Sequence, residues 1–237
     1  MTVLFISDVH LDAELPDSIR TFTRFIDGQA REAERLYILG DLFEAWIGDD
    51  DDEPRLAPVA AALARLTRAG VPCAVMHGNR DFLIGERFCA ATGCTLLGDY
   101  ATVDIHGARV LLTHGDLLCT DDVRYQTLRK QLRDPVWQRD FLAKPLAERR
   151  KIANELRELS ATEIAMKTDA IMDVNQATVE RTMREHGVTE LLHGHTHRPA
   201  IHEFALDGRP ARRTVLGAWY ESPSVIAWDT HGPAFVV

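Results

Sequence analysis

A chain of 237 residues with a formal net charge of −9 has room for one large domain with a substantial core, and its acidity argues against general nucleic-acid binding. Apolar residues make up 46% and charged residues 27%, as in ordinary globular proteins, and no stretch approaches the roughly 20 apolar residues of a membrane span. The four cysteines (Cys73, Cys89, Cys94, Cys119) form no CxxC and match no structural zinc spacing, so they read as reduced packing residues of a cytosolic protein.

Residues 2–7 read as a first buried strand without the basic leader of a signal peptide, and it runs into Asp8-Val9-His10. Residues 19–26 carry apolar side chains at helical spacing. A short strand at 35–39 closes on Gly40-Asp41, and an Ala/Leu-rich helix at 55–69 is capped by Gly70. A third strand at 73–76 closes on His77-Gly78-Asn79, and a short helix follows Asp81. Residues 102–105 and 109–113 predict a hairpin turning at His106-Gly107, its second strand closed by His114-Gly115-Asp116. Residues 121–186 carry a helical pattern with almost no strand signal, punctuated by Asp134-Pro135 and Lys144-Pro145, with Pro145 placed to open a helix. From Val188 the chain is strand-rich again, at 191–192, 201–205, 213–216 and 225–228, with a turn at Asp207-Gly208. The early part therefore predicts a parallel α/β sheet and the late part antiparallel pairing. Between them 121–186 predicts a helical cap inserted into a core of residues 1–120 and 187–237.

The strands share a way of ending: an apolar run, a small residue, then a metal-type ligand. This gives Asp8 and His10, Asp41, Asn79, His114, and finally His195 and His197 within Leu192-His193-Gly194-His195-Thr196-His197. Singly, each has an ordinary explanation as a helix cap, a turn residue or a loop histidine. Repeated at five strand ends, where α/β sheets gather ligands, seven such residues are the number two divalent cations need. One carboxylate, most simply Asp41, would bridge. Oxygen and imidazole ligands without thiolate suit Mn²⁺, Fe²⁺ or Zn²⁺ better than Ca²⁺.

The blocks Asp8-x-His10, Gly40-Asp41-x-x-Glu44, Gly78-Asn79-Arg80-Asp81, His114-Gly115-Asp116 and Gly194-His195-Thr196-His197 resemble the calcineurin-like metallophosphoesterases. The resemblance implies a four-layer αββα sandwich with a helical cap insertion. It also implies one metal on Asp8, His10, Asp41 and His197 and a second on Asp41, Asn79, His114 and His195. Two cations roughly 3.5–4 Å apart activate a water and clamp phosphoryl oxygens in such sites. Many relatives carry His directly after the Gly-Asn; here the position is Arg80. A guanidinium, with a pKa above ~12, neutralises phosphate charge but donates no proton. It therefore suits a leaving group that needs none, such as a phosphate with a second pKa near ~6. Cleavage of a pyrophosphate is the expectation.

Longer stretches narrow the resemblance. Residues 36–49, His114 to Asp122, Ile171-Met172-Asp173-Val174-Asn175, His195 to Pro199 and Val215-Leu216-Gly217-Ala218-Trp219 are similar to the UDP-2,3-diacylglucosamine diphosphatase family. That resemblance implies a lipid A biosynthetic hydrolase that releases UMP, with two Mn²⁺ ions per chain. It would work at the cytoplasmic face of the inner membrane, attached peripherally to that anionic surface, with no nucleic acid and no obligate protein partner. Asp41, Asn79, Arg80 and His195 would act in catalysis. Asn79, Arg80, Asp122, Ser160, Lys167 and His195 match substrate-contacting positions, and Ile164 stands where some relatives carry Asn.

Residues 124–157 hold ten Lys/Arg against four acids, a local surplus of six in an acidic chain. Basic residues beside an anionic leaflet contribute about 1 kcal/mol each. With Val136, Trp137, Phe141, Leu142 and Leu146 they would form either an interfacial cap that takes acyl chains from the bilayer or simply the packing of the cap on the sandwich. The acidic run 49–53 reads as a solvated loop ahead of a helix N-terminus, and Trp46 and Trp219 read as packing. Two rival readings remain. One is another dinuclear-metal phosphoesterase acting on nucleoside polyphosphates. The other is a non-enzymatic module, which the intact set of seven ligand positions disfavours.

Overall fold

The computed structural model describes residues 2–166, 171–220 and 222–236, with the backbone alone for 160–166. Strands β1 (Val3–Ile6), β2 (Arg35–Ile38) and β3 (Cys73–Val75) pair in parallel, joined by α1 (Pro16–Asp27) and α2 (Ala57–Arg68). Their side chains are apolar on both faces because both faces are covered. Leu4, Ile6, Leu36, Ile38 and Val75 meet Ile19, Phe22, Ile26, Val59, Leu63 and Leu66 of the two helices, and Phe88 of α3 (Glu86–Thr92). Val3, Phe5, Tyr37, Leu39, Ala74 and Met76 face the other way, into the centre of the molecule. Each fully buried Leu, Ile or Phe there contributes about 1.5–3 kcal/mol. α1 opens on Pro16, where a missing N–H costs nothing.

A two-residue strand β4 (Thr95–Leu96) extends the sheet beyond β3. On the other side β10 (Val225–Asp229) pairs antiparallel with β1, and β11 (Gly232–Val236) with β10. The second sheet runs β5 (Tyr100–Ile105), β6 (Ala108–Thr113), β7 (Glu190–His193), β9 (Arg209–Val215), β8 (Ala200–Leu206). Its late strands are not simply antiparallel, contrary to the sequence expectation: β7 pairs in parallel with both β6 and β9. Val110, Leu112 and Leu192 pack on the first sheet, while Leu111, Leu191 and Ala211 pack on the opposite side against Val179 and Met183 of α7 (Gln176–His186). The order is helices, sheet, sheet, helix, the αββα arrangement.

α7 is thus an outer layer of the sandwich, although its sequence reads as part of the inserted cap. Asn175 caps it through Thr178 N, and it ends on the left-handed Gly187. The other helices of the stretch, α4 (Val123–Leu132), α5 (Pro135–Leu142) and α6 (Leu146–Met166), lie over the rim where β1, β2, β3, β6 and β7 end. Phe141 is buried there with Ile47 and Leu83, and Trp137 stacks on Phe141 at 5.0 Å. Val136 and Leu142 stay exposed. None of the described helices is long and apolar enough to cross a membrane.

Candidate metal centre

The seven expected ligands meet at that rim. Asp8 and His10 follow β1, Asp41 follows β2, Asn79 follows β3, His114 follows β6, and His195 and His197 follow β7. Five of them hold left-handed backbone: Asp8 (φ 53°), His10 (52°), Asp41 (51°), His195 (67°) and His197 (55°). Among the described non-glycine residues only His106 and Asp207, both in turns before glycine, share it. Left-handed backbone is uncommon outside glycine and persists where the surroundings impose it. Here it turns each side chain off the strand axis and into the space between the sheets' ends.

Nε2 of His10 and Nε2 of His197 lie 3.3 Å apart, and Nε2 of His197 lies 3.3 Å from Oδ1 of Asp8. On the other side Oδ1 of Asn79 lies 3.0 Å from Nε2 of His114 and 2.8 Å from Nδ1 of His195. Oδ2 of Asp41 stands between the groups, 3.8 Å from Nε2 of His10 and 3.8 Å from Nε2 of His114. Asp8 reaches into both: its ligand atoms lie within 4.8 Å of those of His10 and His197, and likewise of Asp41 and His114.

The surrounding atoms fix which nitrogen faces inward. Nδ1 of His114 donates to the Leu39 carbonyl at 2.8 Å, and Nδ1 of His10 pairs with Glu44 Oε2 at 2.8 Å, which turns both Nε2 atoms to the cluster. Asp8 Oδ2 accepts from Ser7 Oγ and from His195 N; its buried Oδ1 has no hydrogen bond. An enclosed carboxylate oxygen faced by imidazole nitrogens, with His197 Nε2 at 3.3 Å, fits a cation. Asp41 Oδ1 accepts from Arg80 N at 2.8 Å, leaving Oδ2 for the cluster. Asp81, wholly buried, holds the loops together by accepting from Leu42 N and Gly78 N, both at 2.8 Å. Gly78 and Gly194 are required by space: a Cβ on Gly78 would stand 2.0 Å from Asp41 Oδ1, and one on Gly194 2.2 Å from Asp8 Oδ2.

Crowding of carboxylates and imidazoles in a buried space shifts the titration of each. Burial pushes the Asp41 carboxyl up to about 6, against the pull of His114 and His10. Burial opposes charge on His114, yet the carboxylates of Asp41 and Asp8 outweigh it and raise that imidazole to about 9. Burial, with the His114 charge beside it, pushes His195 down to about 4.

The cluster floors a pocket of about 390 Å³ whose walls include Arg80, Asp122, Tyr125, Met172, Arg198 and Tyr220. A second, mostly apolar cavity lies under α4, α5 and α6, lined by Trp46, Phe82, Leu83, Leu128, Trp137 and Phe141 among others. The two share Asn79, Arg80 and Tyr125. Of the expected substrate contacts, Asn79, Arg80, Asp122 and His195 line the first pocket, and Asp122 also caps α4 through Tyr125 N. Ser160, Ile164 and Lys167 lie outside the residues whose side chains are described.

Several groups escaped the sequence reading. Tyr125 donates to Asp116 Oδ2 at 2.8 Å and its ring lies 5.8 Å from that of His195; its place one turn into a helix carries no sequence signal. Glu44 and Asp81 stand inside quoted motifs, yet only their contacts reveal their work. The acidic run is partly exposed and precedes α2, as expected, but it also makes specific contacts. Asp50 pairs with Arg149, whose side chain is 2% exposed, and Asp51 pairs with Arg150. Asp49 accepts from Gly85 N, Phe88 N and Trp46 Nε1. Much of the basic segment's charge is therefore matched by acids of the core or of its own helices. Arg129 pairs with Asp116 and Asp99, and Arg157 with Glu44.

A family model described as calcineurin-like phosphoesterase matches residues 1–199. The chain is 51% identical over 226 residues to a protein of Serratia proteamaculans named UDP-2,3-diacylglucosamine hydrolase, covering 95% of this chain and 94% of that one. A protein of the same name from Pseudomonas aeruginosa is 50% identical over 232 residues, covering 98% and 97%. Among solved structures, an archaeal phosphodiesterase superposes with a TM-score of 0.50 at 16% identity over 100% of this chain and 99% of its own. A hypothetical protein from Pyrococcus horikoshii does so at 0.51 and 12% identity, over 99% and 86%. At these identities the two structures speak for the fold alone.

Proposed function

The chain belongs to the calcineurin-like phosphoesterase family, in its UDP-2,3-diacylglucosamine hydrolase branch, and on that premise we propose that it hydrolyses the pyrophosphate bond of UDP-2,3-diacylglucosamine to 2,3-diacylglucosamine 1-phosphate and UMP in lipid A synthesis. The observation that carries the reading is the shared wall of Asn79, Arg80 and Tyr125, which joins a polar, metal-type pocket to an apolar cavity. A diphosphate that links a nucleoside to a lipid needs both. We take 1–120 and 187–237 as the core and 121–186 as the insertion, with α7 serving the core.

Asp8, His10, Asp41 and His197 would hold one cation, and Asp41, Asn79, His114 and His195 another; the oxygen and imidazole donors suit Mn²⁺, Fe²⁺ or Zn²⁺, and the family resemblance selects Mn²⁺ among them. When bound, such a pair lowers the pKa of a water and neutralises developing phosphoryl charge. Arg80 faces the same pocket, and its guanidinium would hold the diphosphate without donating a proton. The departing lipid phosphate needs none, consistent with attack at the α-phosphorus. His195 would serve as a neutral imidazole ligand. Asn79, Arg80, Asp122, Ser160, Lys167 and His195 would contact substrate. Val123, Val136 and Leu142, exposed on the cap, support peripheral attachment to the cytoplasmic face of an anionic inner membrane.

Phosphorus NMR in ¹⁸O-water tests this reading. Metal-stripped protein is given detergent-dispersed UDP-2,3-diacylglucosamine with and without Mn²⁺. The expected result is UMP formed only with metal and carrying the ¹⁸O. Cleavage of bis-p-nitrophenyl phosphate without turnover of the lipid would leave another dinuclear-metal phosphoesterase, with nucleoside polyphosphates as the next substrates. ¹⁸O on the lipid phosphate would move the attack to the β-phosphorus.

A further inference from the structure

On the pyrophosphatase reading, the substrate extends from the metal centre in two directions. Its acyl-bearing sugar belongs on the side of the apolar cavity, across Asn79, Arg80 and Tyr125. The nucleotide half must then leave over the walls the two cavities do not share, among them His10, Met172, Thr196, His197, Arg198 and Tyr220. Tyr220 is the single aromatic ring there apart from the histidines, among the described residues.

Its setting is unusual for a large ring. Tyr220 is 68% exposed although the residue before it is anchored. The preceding Trp219 donates its backbone N–H to the Asp8 carbonyl at 3.1 Å and its indole N–H to the Ser224 carbonyl at 3.1 Å. The Trp219 ring is packed against Phe25, edge to face at 5.3 Å. From that anchor the Tyr220 ring lies nearly parallel to His10, 5.4 Å away at 22°, and edge-on to His197 at 5.4 Å. One side of the ring is backed by the ligand histidines and the rest is open. A planar apolar surface, fixed in place and left uncovered beside a phosphate-cleaving centre, is what a nucleobase stacks on. Uracil is the one planar aromatic group in the nucleotide half.

We propose that Tyr220 is the stacking shelf for the uracil base, an assignment that rests on the pyrophosphatase reading above. Ribose and phosphate offer no π-face to such a shelf, so its contribution falls on the base alone.

The test compares UMP with ribose 5-phosphate, which lacks the base, by calorimetric titration of full-length protein loaded with Mn²⁺. The parent should bind UMP about five- to a hundredfold more tightly than ribose 5-phosphate, the span of base–aromatic stacking. Tyr220→Ala should collapse that ratio towards one, and Tyr220→Phe should keep most of it. Because the reading is a ratio within each variant, a change in metal loading that weakens both ligands leaves it interpretable. An unchanged ratio in Tyr220→Ala, no preference for UMP in the parent, or no UMP binding at all would each overturn the shelf. Lipid turnover measured alongside separates the two ideas. Turnover with an unchanged ratio rejects the shelf alone; a collapsing ratio without turnover supports the shelf and rejects the lipid substrate.

Discussion

Nδ1 of His10 lies 2.8 Å from Oε2 of Glu44, and this one contact decides which nitrogen His10 turns to the metal-type cluster. The same carboxylate lies 3.2 Å from Nε of Arg157 on α6 and 4.0 Å from Nη1 of Arg80. Glu44 thus ties a proposed ligand, the pocket-lining Arg80 and the cap into one group. Partners of this kind are worth about 10–100-fold in metal affinity. Glu44→Ala is expected to weaken Mn²⁺ binding by that much, read by titration with the metal alone. Glu44→Gln, which keeps an acceptor oxygen, should lose less.

Arg80 reaches the pocket from the residue after Asn79, its backbone N–H fixed on Asp41 Oδ1. Its replacement removes a preorganised cation from a phosphoryl site, an effect of about 10²–10³ in rate. Arg80→Ala should lower kcat on the lipid pyrophosphate by that order. Arg80→His should also gain activity on alkyl phosphodiesters, whose alkoxide leaving group needs a proton. An unchanged preference between the two substrate classes would argue against the leaving-group account.

Gly78 and Gly70 offer a matched pair. At Gly78 an added Cβ would meet Asp41 Oδ1 at 2.0 Å and Asp41 N at 2.3 Å, neither of which can yield without moving the proposed bridging ligand. Gly78→Ala is expected to cost about 3 kcal/mol or more in denaturant titration and to abolish tight metal binding. Gly70 has φ +93° but nothing within 4 Å of its would-be Cβ, so Gly70→Ala should cost about 1 kcal/mol of backbone strain and leave metal binding intact.

The cap's seating on the acidic run is expected to loosen in acid. The hydrogen bond from Arg149 holds the Asp50 carboxyl below its usual range. A carboxyl lowered in the folded state contributes stability above its unfolded pKa of about 3.9 and loses it as the pH falls towards the folded value. The protection factors of the α6 amides, corrected for the intrinsic exchange rate at each pH, should therefore fall below pH ~4. Asp50→Asn should flatten that dependence. Asp50 is half exposed, so the pair itself is worth at most about 1 kcal/mol.

The centre was legible in the sequence because parallel strands covered on both faces read as unbroken apolar runs, so whatever follows them stands out. Asp8, Asp41, Asn79 and His114 each follow such a run. The docking of the cap was not legible, because Asp50 and Arg149 are 99 positions apart and each is an ordinary charged residue in its own neighbourhood. α7 reads like its helical neighbours, and only Val179 and Met183 against Leu111 and Leu191 separate it from them. β4 has two residues, too few for a pattern, and β11 opens on Gly232-Pro233, which reads as a turn. Tyr220 gave no signal either, since exposure is a property of the folded surface.

Asp8, His10, Asp41 and Asn79 come from the ends of the first sheet, and His114, His195 and His197 from the ends of the second. Cations held among them would work as a clasp between two halves joined besides by apolar packing and by hydrogen bonds such as that from His114 Nδ1 to the Leu39 carbonyl. His10 and His197, 3.3 Å apart in space, are separated by 187 positions of chain. No short stretch of the polypeptide contains the clasp. Chemistry on such a clasp would wait on the completed architecture, and hydrolysis would double as a sign that both sheets have met in register.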